Sequence, residues 1–333
     1  MDEMLTPKER MQTFAHAYLL SGALCAAAEL GIADLLWEKP EQTIEQLSAA
    51  LNVDSRSLFR LLRYLVSHRV FSQSADGAFS LNPEAAYLSE KHPESIRGDL
   101  LVTPGPRWNA FGAIREAVVH GRPAFDLLYG KSYFHYLSEN PEAANRFNIH
   151  MTSYTQGEDR LLAPLLPVEE IHTLMDIGGG EGHFLNEALR CFSHVNGILF
   201  DLESAVSNPQ IQQDQKRWKV YGGSFFEPLP QTDADAYILK RVLHNWSDED
   251  SLKILRNISL VMKEGSRLWI IEGVVPENNS RHQSKDTDLF LMTLFPGCER
   301  TEGEFRELAN QAGFQITRIL PTPTFLSIIE LRK

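Results

Sequence analysis

Cysteine is scarce in this sequence of 333 residues, and the three that occur, Cys25, Cys191 and Cys298, lie far apart. Cysteines placed in this way form neither a disulfide framework nor a pair with metal-ligand spacing. No carboxylate cluster with metal-ligand spacing stands out either. The composition therefore predicts a protein of a reducing compartment, the cytoplasm, that carries no metal ion.

Positive charge is also in short supply. Lysine and arginine number 32 against 44 aspartate and glutamate residues, so that the formal net charge is −12. A surface of this charge repels phosphate groups, and attraction to phosphates supplies most of the non-specific affinity of proteins for nucleic acids. Nucleic acid is therefore not an expected partner.

The first residues do not have the apolar core of a signal peptide, and the sequence has no long uncharged apolar run. Its first residues, MDEMLTPKERMQ, are charged from the second position, which is not the pattern of a secretory leader. The most apolar stretch, residues 18–37, carries Glu29 and Asp34 and has helical periodicity, so that we expect no membrane span. With 43% hydrophobic residues, the chain has enough apolar side chains for the cores of two domains.

The N-terminal part has helical periodicity. Small and large apolar residues alternate over residues 8–37, which predicts one or two helices with a face suited to a second subunit. Residues 42–91 follow the order helix, turn, helix, hairpin, with Asp54 as the N-cap of the second helix and a turn at Asp76 and Gly77. This order is typical of a winged helix, which binds DNA in some proteins. A transcription regulator therefore stays open as an alternative, although the acidic chain and the apolar second helix favour a role in dimer packing or as the wall of a pocket.

The pattern changes near residue 165. Helical stretches over residues 106–165 end at Pro164 and Pro167, and short apolar strands then alternate with helices. We therefore predict two domains. The first is a helical, winged-helix-like dimerisation domain over residues 1–165, and the second is an α/β domain over residues 166–333.

The strands predicted in the second domain form a doubly wound, mostly parallel sheet. They are, in order, HTLMDIGGG, VNGILFD, KVYGG, DAYILK and RLWIIEG. The last two candidates, FQITRIL and FLSIIELR, are separated only by PTPT, which is too short for a crossover helix. We expect these two strands to pair antiparallel at one edge of an otherwise parallel, Rossmann-like α/β sheet.

A glycine-rich loop follows the first of these strands. Residues 176–182 read DIGGGEG, and glycine there lets the backbone come against a ligand that a Cβ atom would exclude. The third glycine of the dinucleotide fingerprint would fall at His183, and the ending of a P-loop is missing. Asp201 ends the next strand, 21 residues after Gly180, where a carboxylate can accept hydrogen bonds from ribose hydroxyls. Loop and acid together predict a site for an adenosine-bearing cofactor without a phosphate chain.

Two further residues lie at the ends of neighbouring strands. DAYILK leads into His244, and RLWIIEG contains Glu272. The carboxyl ends of parallel strands share one edge of a sheet, which is the edge that also carries the glycine loop. A histidine there can accept a proton at neutral pH from a substrate beside the cofactor. A histidine at a strand end can also be purely structural, and the residue alone does not distinguish the two roles.

On these residues, the sequence resembles the plant-type small-molecule O-methyltransferases, such as caffeic acid O-methyltransferase, and their bacterial and fungal relatives. The resemblance spans nearly the whole chain, and the block around His244 and the run GCERT at 297–301 are specific to this family. It implies a class I methyltransferase sheet, S-adenosylmethionine as cofactor, and a homodimer. The segments that carry it are DIGGGEGHF, LFDLESAV, YGGSFFEPLP, LKRVLHNWSDEDSLKILRN, IIEGVVPE and DTDLFLMTLFPGCERTEGEFRELANQAGF.

The resemblance also implies roles for individual residues. His244 matches the general base, and Glu272 and Glu299 match the two acids that flank and orient it. The positions that match cofactor contacts are Gly178, Gly180, Asp201, Ser224, Phe225 and Lys240. The positions that match the acceptor pocket are Phe147, Met151, Tyr154, Asn245 and Asp126.

Two positions depart from the family pattern. Asn245 follows the base where the plant enzymes usually have aspartate, and Ser224 replaces the acid that contacts adenine. Neither departure touches the base, so that both bear on substrate identity and cofactor contacts more than on activity. Within the acceptor set, Phe147, Met151 and Tyr154 recur at i, i+4 and i+7 on one helix, a spacing that a core stripe would also show.

The predicted function is the transfer of a methyl group from S-adenosylmethionine to a hydroxyl of a small, phenolic acceptor, with His244 as general base. Three alternatives stay open. The protein could bind the same cofactor without methylating, it could methylate nitrogen, since a nitrogen acceptor needs the base less, or it could be the transcription regulator. The presence of His244, Glu272 and Glu299 together favours methylation.

Overall fold

The protein is described from a computed structural model, which covers residues 5–333 apart from the side chains of residues 152, 153 and 156. Packing divides the chain into two compact units. The first contains the residues up to Trp108 together with Asn140–Tyr154, and the second contains Asn109–Glu139 together with Thr155–Lys333. Residues 109–139 thus pack with the C-terminal part of the chain, and the domain boundary near residue 165 stays a prediction.

The first unit is helical and includes a small hairpin. Two helices, α8 (Pro106–Gly112) and α12 (Pro141–Leu162), run from one unit into the other. The elements that lie wholly within the first unit are α1 (Pro7–Ala15), α2 (Ala17–Glu29), α3 (Ile32–Glu38), α4 (Ile44–Leu51), α5 (Ser55–Ser67), β1 (Ser72–Gln73), β2 (Phe79–Ser80), α6 (Pro83–Ala86) and α7 (Arg97–Val102).

The helix starts and the hairpin follow from local sequence signals. The Asp54 carboxylate accepts a hydrogen bond from the backbone N–H of Ser57 at 2.8 Å, as expected of the N-cap of α5. Strands β1 and β2 pair antiparallel around the predicted turn. Residues 8–37, expected as one or two helices, form α1, α2 and α3 instead, with a break at His16 and a turn between α2 and α3 at Gly31, where φ is +69°. The core of this unit includes Ile32, Leu36, Leu47, Leu58, Leu62, Leu65, Phe71 and Phe79.

The second unit is an α/β sheet with helices packed against it. Its helices are α9 (Ile114–His120), α10 (Ala124–Tyr129), α11 (Tyr133–Glu139), α13 (His183–Cys191), α14 (Asp248–Val261), α15 (Gln283–Leu294) and α16 (Glu302–Gln311). Its strands are β3 (Thr173–Ile177), β4 (Asn196–Asp201), β5 (Trp218–Gly222), β6 (Ala236–Lys240), β7 (Arg267–Val275), β8 (Arg300–Thr301), β9 (Gln315–Pro321) and β10 (Leu326–Arg332).

The strand order is β5-β4-β3-β6-β7-β10-β9, with the short β8 paired to β7. Strands β3 to β7 run parallel, and β10 pairs antiparallel with both β7 and β9. The predicted α/β class and the antiparallel pair at the C-terminal edge are confirmed. Of these two strands, β9 is the one at the edge, since β10 inserts between β9 and β7.

The register brings the ends of the parallel strands to one edge of the sheet. Ile177 lies opposite Phe200 on β4, Asp201 lies opposite Gly222 on β5, and Lys240 lies opposite Ile271 on β7. The interiors of β3, β4 and β6 are almost wholly buried, because helices cover both faces of a doubly wound sheet. The residues that leave the sheet at this edge are the ones available to a ligand.

Length and apolar composition allow no single described helix to span a membrane. One bent pair of segments among the described residues is long and apolar enough when the two are joined. It consists of Pro7–Glu29, which contains α1 and α2, and Ile32–Glu38, which is α3.

Candidate active site

The glycine loop leaves β3 in a conformation that glycine favours. Gly178 has φ +73° and Gly180 has φ +58°, both in the left-handed region. A Cβ atom on Gly178 would stand 2.8 Å from the Val242 side chain, so that the loop packs closely on the β6 turn. Above Gly180, by contrast, no described atom lies within 4 Å of the place where a Cβ would stand. The loop is therefore fixed on one side and open on the other.

Asp201 ties the end of β4 to this loop. One carboxylate oxygen accepts the backbone N–H of Gly180 at 2.7 Å, and the other accepts the N–H of Leu202 at 2.6 Å. Burial raises the pKa of this carboxyl, although the two backbone donors oppose the shift. Each oxygen keeps a lone pair for a further donor. An acceptor pair beside an open glycine turn fits the two hydroxyls of a ribose.

Ser224 and Phe225 form the next part of this edge, after β5. The Ser224 hydroxyl accepts the backbone N–H of Phe226 at 3.2 Å, and the side-chain amide of Asn257 donates to the carbonyl of Phe225 at 3.0 Å. The Phe225 ring lies 3.6 Å from the position that a Cβ of Gly178 would take. The structure thus brings Phe225 against the glycine loop, while the Ser224 hydroxyl stabilises the local turn.

Lys240 is buried at the end of β6 and forms ion pairs. Its ammonium group lies 2.7 Å from Asp159 and 3.3 Å from Glu158, both on α12, and Glu158 also pairs with Arg241 at 2.8 Å. Burial opposes ionisation of Glu158, but Arg241 and Lys240 hold the pKa of its carboxyl below the usual range. The predicted contact of Lys240 with a cofactor therefore has to coexist with these two carboxylates.

Asp176 is a carboxyl group buried directly under the glycine loop. Its side chain is 1% exposed, and one of its oxygens has no hydrogen-bond partner among the described residues. A Cβ on Gly179 would lie 2.7 Å from that oxygen, which shows how closely the loop covers it. Burial raises the pKa of Asp176 from 3.8 to about 7, against the attraction of Lys240.

This buried group should make stability depend on pH. The folded state keeps the Asp176 proton up to about pH 7, whereas the unfolded chain releases it near pH 4, so that stability falls as pH rises between these values. Between pH 5 and pH 8 the wild type should lose about 2–3 kcal/mol more unfolding free energy than Asp176→Asn. Urea unfolding at the two pH values measures this, with the exposed Asp233→Asn as control. Equal losses of unfolding free energy in wild type and Asp176→Asn would contradict the raised pKa of Asp176.

His244 lies on a 3₁₀ turn, Leu243–Asn245, directly after β6, and is 6% exposed. Its ring nitrogen Nδ1 lies 3.0 Å from Oε1 of Glu299. Glu272 does not contact the ring through a hydrogen bond; its Oε1 accepts the backbone N–H of His244 at 3.1 Å. Of the two acids expected to orient the base, Glu299 thus holds the imidazole and Glu272 holds the backbone.

The two glutamates are buried together. Glu272 is 0% and Glu299 is 4% exposed, and Oε2 of each has no hydrogen-bond partner within the described part of the chain. Burial and the charge of Glu299 raise the pKa of Glu272, whereas His244 and Arg300 lower it. Gly273 makes room for this arrangement, because a Cβ there would stand 2.9 Å from the Glu299 carboxylate.

A strained residue lies two positions before the turn that carries His244. Arg241 has φ +54°, which is unfavourable for a side chain with a Cβ, and its guanidinium is fixed by Glu158. The side-chain amide of Asn245 donates to the Arg241 carbonyl at 3.1 Å. Asn245, predicted to contact the acceptor, thus also stabilises the turn, and aspartate could not donate this hydrogen bond.

Aromatic rings surround the residue that follows this turn. Trp246 stacks on Phe134 with ring centroids 6.0 Å apart, and it meets Phe225 and Phe226 edge-on at 5.9 and 4.7 Å. Phe134 also contacts Phe295 at 5.1 Å. These rings form a largely apolar surface in the second unit, next to the turn that carries the histidine.

The remaining acceptor predictions lie elsewhere. Asp126 lies on α10, which packs against α15, and one of its buried oxygens has no hydrogen-bond partner among the residues described. Burial raises the pKa of this carboxyl. Phe147, Met151 and Tyr154 are half-buried on the part of α12 that belongs to the first unit. Their role in an acceptor pocket stays a prediction.

Sequence reasoning missed the partners of several of these residues. Glu158 and Asp159 carried no signal, because a carboxylate pair on a helix is usually a solvated surface feature. Arg300 did carry one, since it directly follows Glu299 within the GCERT run, but only Glu299 was assigned a role. Histidine and the two glutamates were predicted and do lie together. No cluster of three or more metal-ligating side chains occurs in the described chain.

The parallel order β5-β4-β3-β6-β7, the glycine loop after β3, the acid ending β4 and the histidine after β6 define a class I methyltransferase. Family models specify it further. The model of the O-methyltransferase domain matches residues 111–315, and that of the O-methyltransferase dimerisation domain matches residues 12–91. The chain belongs to the O-methyltransferase family, as the sequence motifs predicted.

Known proteins support this assignment over nearly the full length. The phenazine O-methyltransferase of Lysobacter antibioticus is 35% identical over 319 residues, which cover 95% of this chain and 93% of that protein. The solved mitomycin 7-O-methyltransferase has a TM-score of 0.91 at 30% identity, covering 98% of this chain and 97% of that one. An O-methyltransferase from neocarzinostatin biosynthesis was solved with S-adenosylmethionine and 2-hydroxy-5-methyl naphthoic acid. That structure has a TM-score of 0.83 at 28% identity, and the match covers 94% of this chain and 95% of that one.

Proposed function

We propose that this enzyme transfers a methyl group from S-adenosylmethionine to a hydroxyl of a planar, polycyclic aromatic acceptor, with His244 as general base. The observation that carries the proposal is the buried pair of His244 and Glu299 at the sheet edge that holds the glycine loop and Asp201. A base oriented by a buried acid is needed where a hydroxyl must lose its proton. It would serve no purpose in a winged-helix regulator.

The geometry supports a separate task for each nitrogen of the histidine ring. Nδ1 faces the Glu299 carboxylate at 3.0 Å, so that this nitrogen carries the proton and Nε2 is left as the acceptor. As Nε2 takes the proton from the acceptor hydroxyl, Glu299 stabilises the imidazolium that forms. Glu272 fixes the backbone of the same residue. Glu299 thus fixes the imidazole ring of His244, and Glu272 fixes its backbone.

The reference pKa values of a phenol and an imidazole indicate when the acceptor hydroxyl loses its proton. A phenol titrates near ~10 and an imidazole near ~6.5, a gap that corresponds to about 5 kcal/mol. Complete deprotonation before methyl transfer is therefore unfavourable, and the proton moves to His244 while the oxygen attacks. The cofactor supplies a sulfonium methyl group that is already reactive. The task of the protein is then to align the oxygen and accept its proton.

Residues of the second unit fit the cofactor that the family uses. Asp201 would accept from the ribose hydroxyls, Gly178 and Gly180 would let the backbone approach, and Phe225 would offer a ring face to the adenine. Lys240 would act through its ion pairs rather than as a free charge, since Asp159 and Glu158 already pair with it. Ser224 supplies a hydroxyl where the family usually has an acid.

The acceptor class rests on relatives and on local chemistry. The compared enzymes are named for a phenazine and for mitomycin, and one was solved with a naphthoic acid. Each is a fused or polycyclic ring system, and the aromatic surface of Trp246, Phe134 and Phe295 in this chain suits the face of such a molecule. Asn245 and Asp126 would supply the polar contacts that orient it.

The first unit supports a homodimer. Its N-terminal helices expose large apolar residues, with Met11 64%, Phe14 67% and Tyr18 57% exposed, within or beside the segment that matches the dimerisation domain. Sedimentation equilibrium should therefore give twice the chain mass of 37.7 kDa. A mass of one chain at micromolar concentration would contradict the dimer.

The described cysteines are all free, which supports the cytoplasm as the compartment.

The function is tested by following labelled methyl groups. Wild-type protein is incubated with methyl-labelled S-adenosylmethionine and hydroxylated phenazines, naphthoates and simple phenols, with amino analogues of the same rings in parallel. Label in an O-methyl product of the fused rings supports the proposal. Label only in the amines would make the enzyme an N-methyltransferase. Cofactor binding without transfer to either series would indicate a non-methylating enzyme.

A further inference from the structure

Arg300 is an arginine that the fold has buried behind the turn carrying His244. It lies on β8, is 1% exposed, and directly follows Glu299 in the chain. Its guanidinium donates to the backbone carbonyls of Leu243 at 3.2 Å and Trp246 at 3.1 Å. These two residues lie immediately before and two places after the histidine. Arg300 therefore holds the 3₁₀ turn at both of its ends.

The guanidinium of Arg300 also contacts residues at the start of α14. Two of its nitrogens lie 2.8 and 3.0 Å from one carboxylate oxygen of Asp248, the first residue of α14, and it donates to the Ser251 hydroxyl at 3.2 Å. Ser251 is fully buried, and its single hydroxyl hydrogen is shared between the carbonyls of Leu243 and Trp246, which lie 3.4 and 3.3 Å from the hydroxyl oxygen. Because the guanidinium is planar, contacts on several of its donors fix its orientation. The start of α14 is thus joined to the turn.

Gly297 packs against the backbone of the turn that carries His244. A Cβ atom at this position would collide with the carbonyl of His244, the amide of Trp246 and the backbone of Asn245. The backbone at Gly297 therefore packs directly on the turn, with no side chain between. The run from Gly297 to Arg300 contacts the turn through a backbone face, through the Glu299 carboxylate on the imidazole, and through the guanidinium.

Charge gives Arg300 a second effect at this site. Glu272 and Glu299 are buried around one histidine, and a buried carboxylate without a compensating charge is costly. Arg300 and His244 both lower the pKa of Glu272, against the effect of burial. The other acids that face this group of residues are Asp248 on α14 and Asp288 on α15, and Asp288 accepts the backbone N–H of Glu299 at 3.0 Å. Arg300 is therefore a cation beside a predominantly acidic set.

We propose that Arg300 is a positioning residue for the base: it fixes the turn at Leu243 and Trp246 so that the imidazole of His244 stays on Glu299 with Nε2 directed at the acceptor. The inference rests on the proposed function of His244, since it adds a residue to the same reaction. Arg300 touches neither cofactor nor acceptor in this scheme. Its effect should therefore appear in the rate of methyl transfer and not in the affinity for S-adenosylmethionine.

The test compares Arg300→Met, Arg300→Lys and the control Arg306→Met. Arg306 is a half-exposed arginine on α16 that pairs with Glu302, away from the turn. For each protein, calorimetry with S-adenosylhomocysteine gives the fraction of binding-competent molecules and the dissociation constant. Steady-state methyl transfer then gives kcat per competent molecule and KM for the acceptor. Proton NMR follows the Nδ1–H resonance of His244 in the hydrogen bond to Glu299.

Arg300→Met is expected to lower kcat about 30- to 100-fold, the scale of a displacement of about 1 Å in a reacting group. The dissociation constant for S-adenosylhomocysteine and KM should change by less than about threefold, and the Nδ1–H resonance should shift or broaden. Arg300→Lys keeps the charge and can reach one carbonyl, so that it should recover part of the loss. Arg306→Met should match the wild type throughout.

Ser251→Ala provides a second approach in case Arg300→Met does not fold. It removes one small hydroxyl from the same two carbonyls and should lower kcat about 3- to 10-fold with unchanged affinity, since a lost neutral hydrogen bond is worth about 0.5–1.5 kcal/mol. An unchanged kcat per competent molecule in the Arg300 variants, with an unmoved resonance, would overturn the proposal and leave a purely structural arginine. If the wild type itself transfers no methyl group, the proposed function fails separately, and the resonance alone decides whether Arg300 positions the ring.

Discussion

His244→Ala should slow methyl transfer by at least a hundredfold, and by up to about ten thousandfold, the range that general acid–base catalysis contributes. The loss should fall on kcat, because the imidazole acts on the acceptor proton and not on the cofactor. Binding of S-adenosylhomocysteine should stay within about twofold of the wild type. Single-turnover transfer of labelled methyl groups to the best acceptor measures the rate, and calorimetry measures the binding.

Two further variants sharpen this result. His244→Gln keeps a polar side chain of similar reach but has no basic nitrogen, so that it should be about as slow as the alanine variant. His172→Ala is the matched control, because His172 is an exposed histidine just before β3, at the opposite edge of the sheet. Full activity of His244→Ala on a phenolic acceptor would show that the reaction does not need His244 as a base.

Asp201→Ala should weaken cofactor binding by about a hundredfold or more. The carboxylate is expected to accept two ribose hydroxyls, and hydrogen bonds to a charged group contribute about 1.5–3 kcal/mol each, which gives about 3 kcal/mol or more in total. It also accepts the Gly180 and Leu202 N–H groups, so that its removal loosens the glycine loop. Titration calorimetry with S-adenosylmethionine and with S-adenosylhomocysteine measures the loss directly.

Asp201→Asn separates the two contributions. The amide has one acceptor oxygen, so that it cannot accept from Gly180 and Leu202 at the same time, and binding should weaken by an intermediate amount. Asp233→Ala, which removes an exposed carboxylate before β6, should bind as the wild type does. Equal affinity in Asp201→Ala and wild type would place the ribose elsewhere, and the glycine loop would then need another explanation.

Much of this enzyme was determined by the sequence alone. Apolar runs between turns predicted the strands β3 to β7, since a strand covered on both faces must be apolar throughout. The parallel order then places Gly178, Asp201, His244 and Glu272 at one edge, because parallel strands all end on the same side. Motifs around these residues were sufficient for the family, for its cofactor and for the chemistry of methyl transfer.

Tertiary structure alone decided how His244 is held. Glu299 and Glu272 looked equivalent in the sequence, and packing gave the imidazole to one and the backbone N–H to the other. The buried ion pairs of Lys240 and Arg241 and the contacts of Arg300 join residues 49 to 83 positions apart in the chain, from Arg300 with Ser251 to Arg241 with Glu158. The local sequence pattern predicts which face of a helix or strand is buried. It does not predict which charged residue from a distant part of the chain contacts that face. Burial and charge compensation are properties of the assembled core, and for that reason they appear only in the fold.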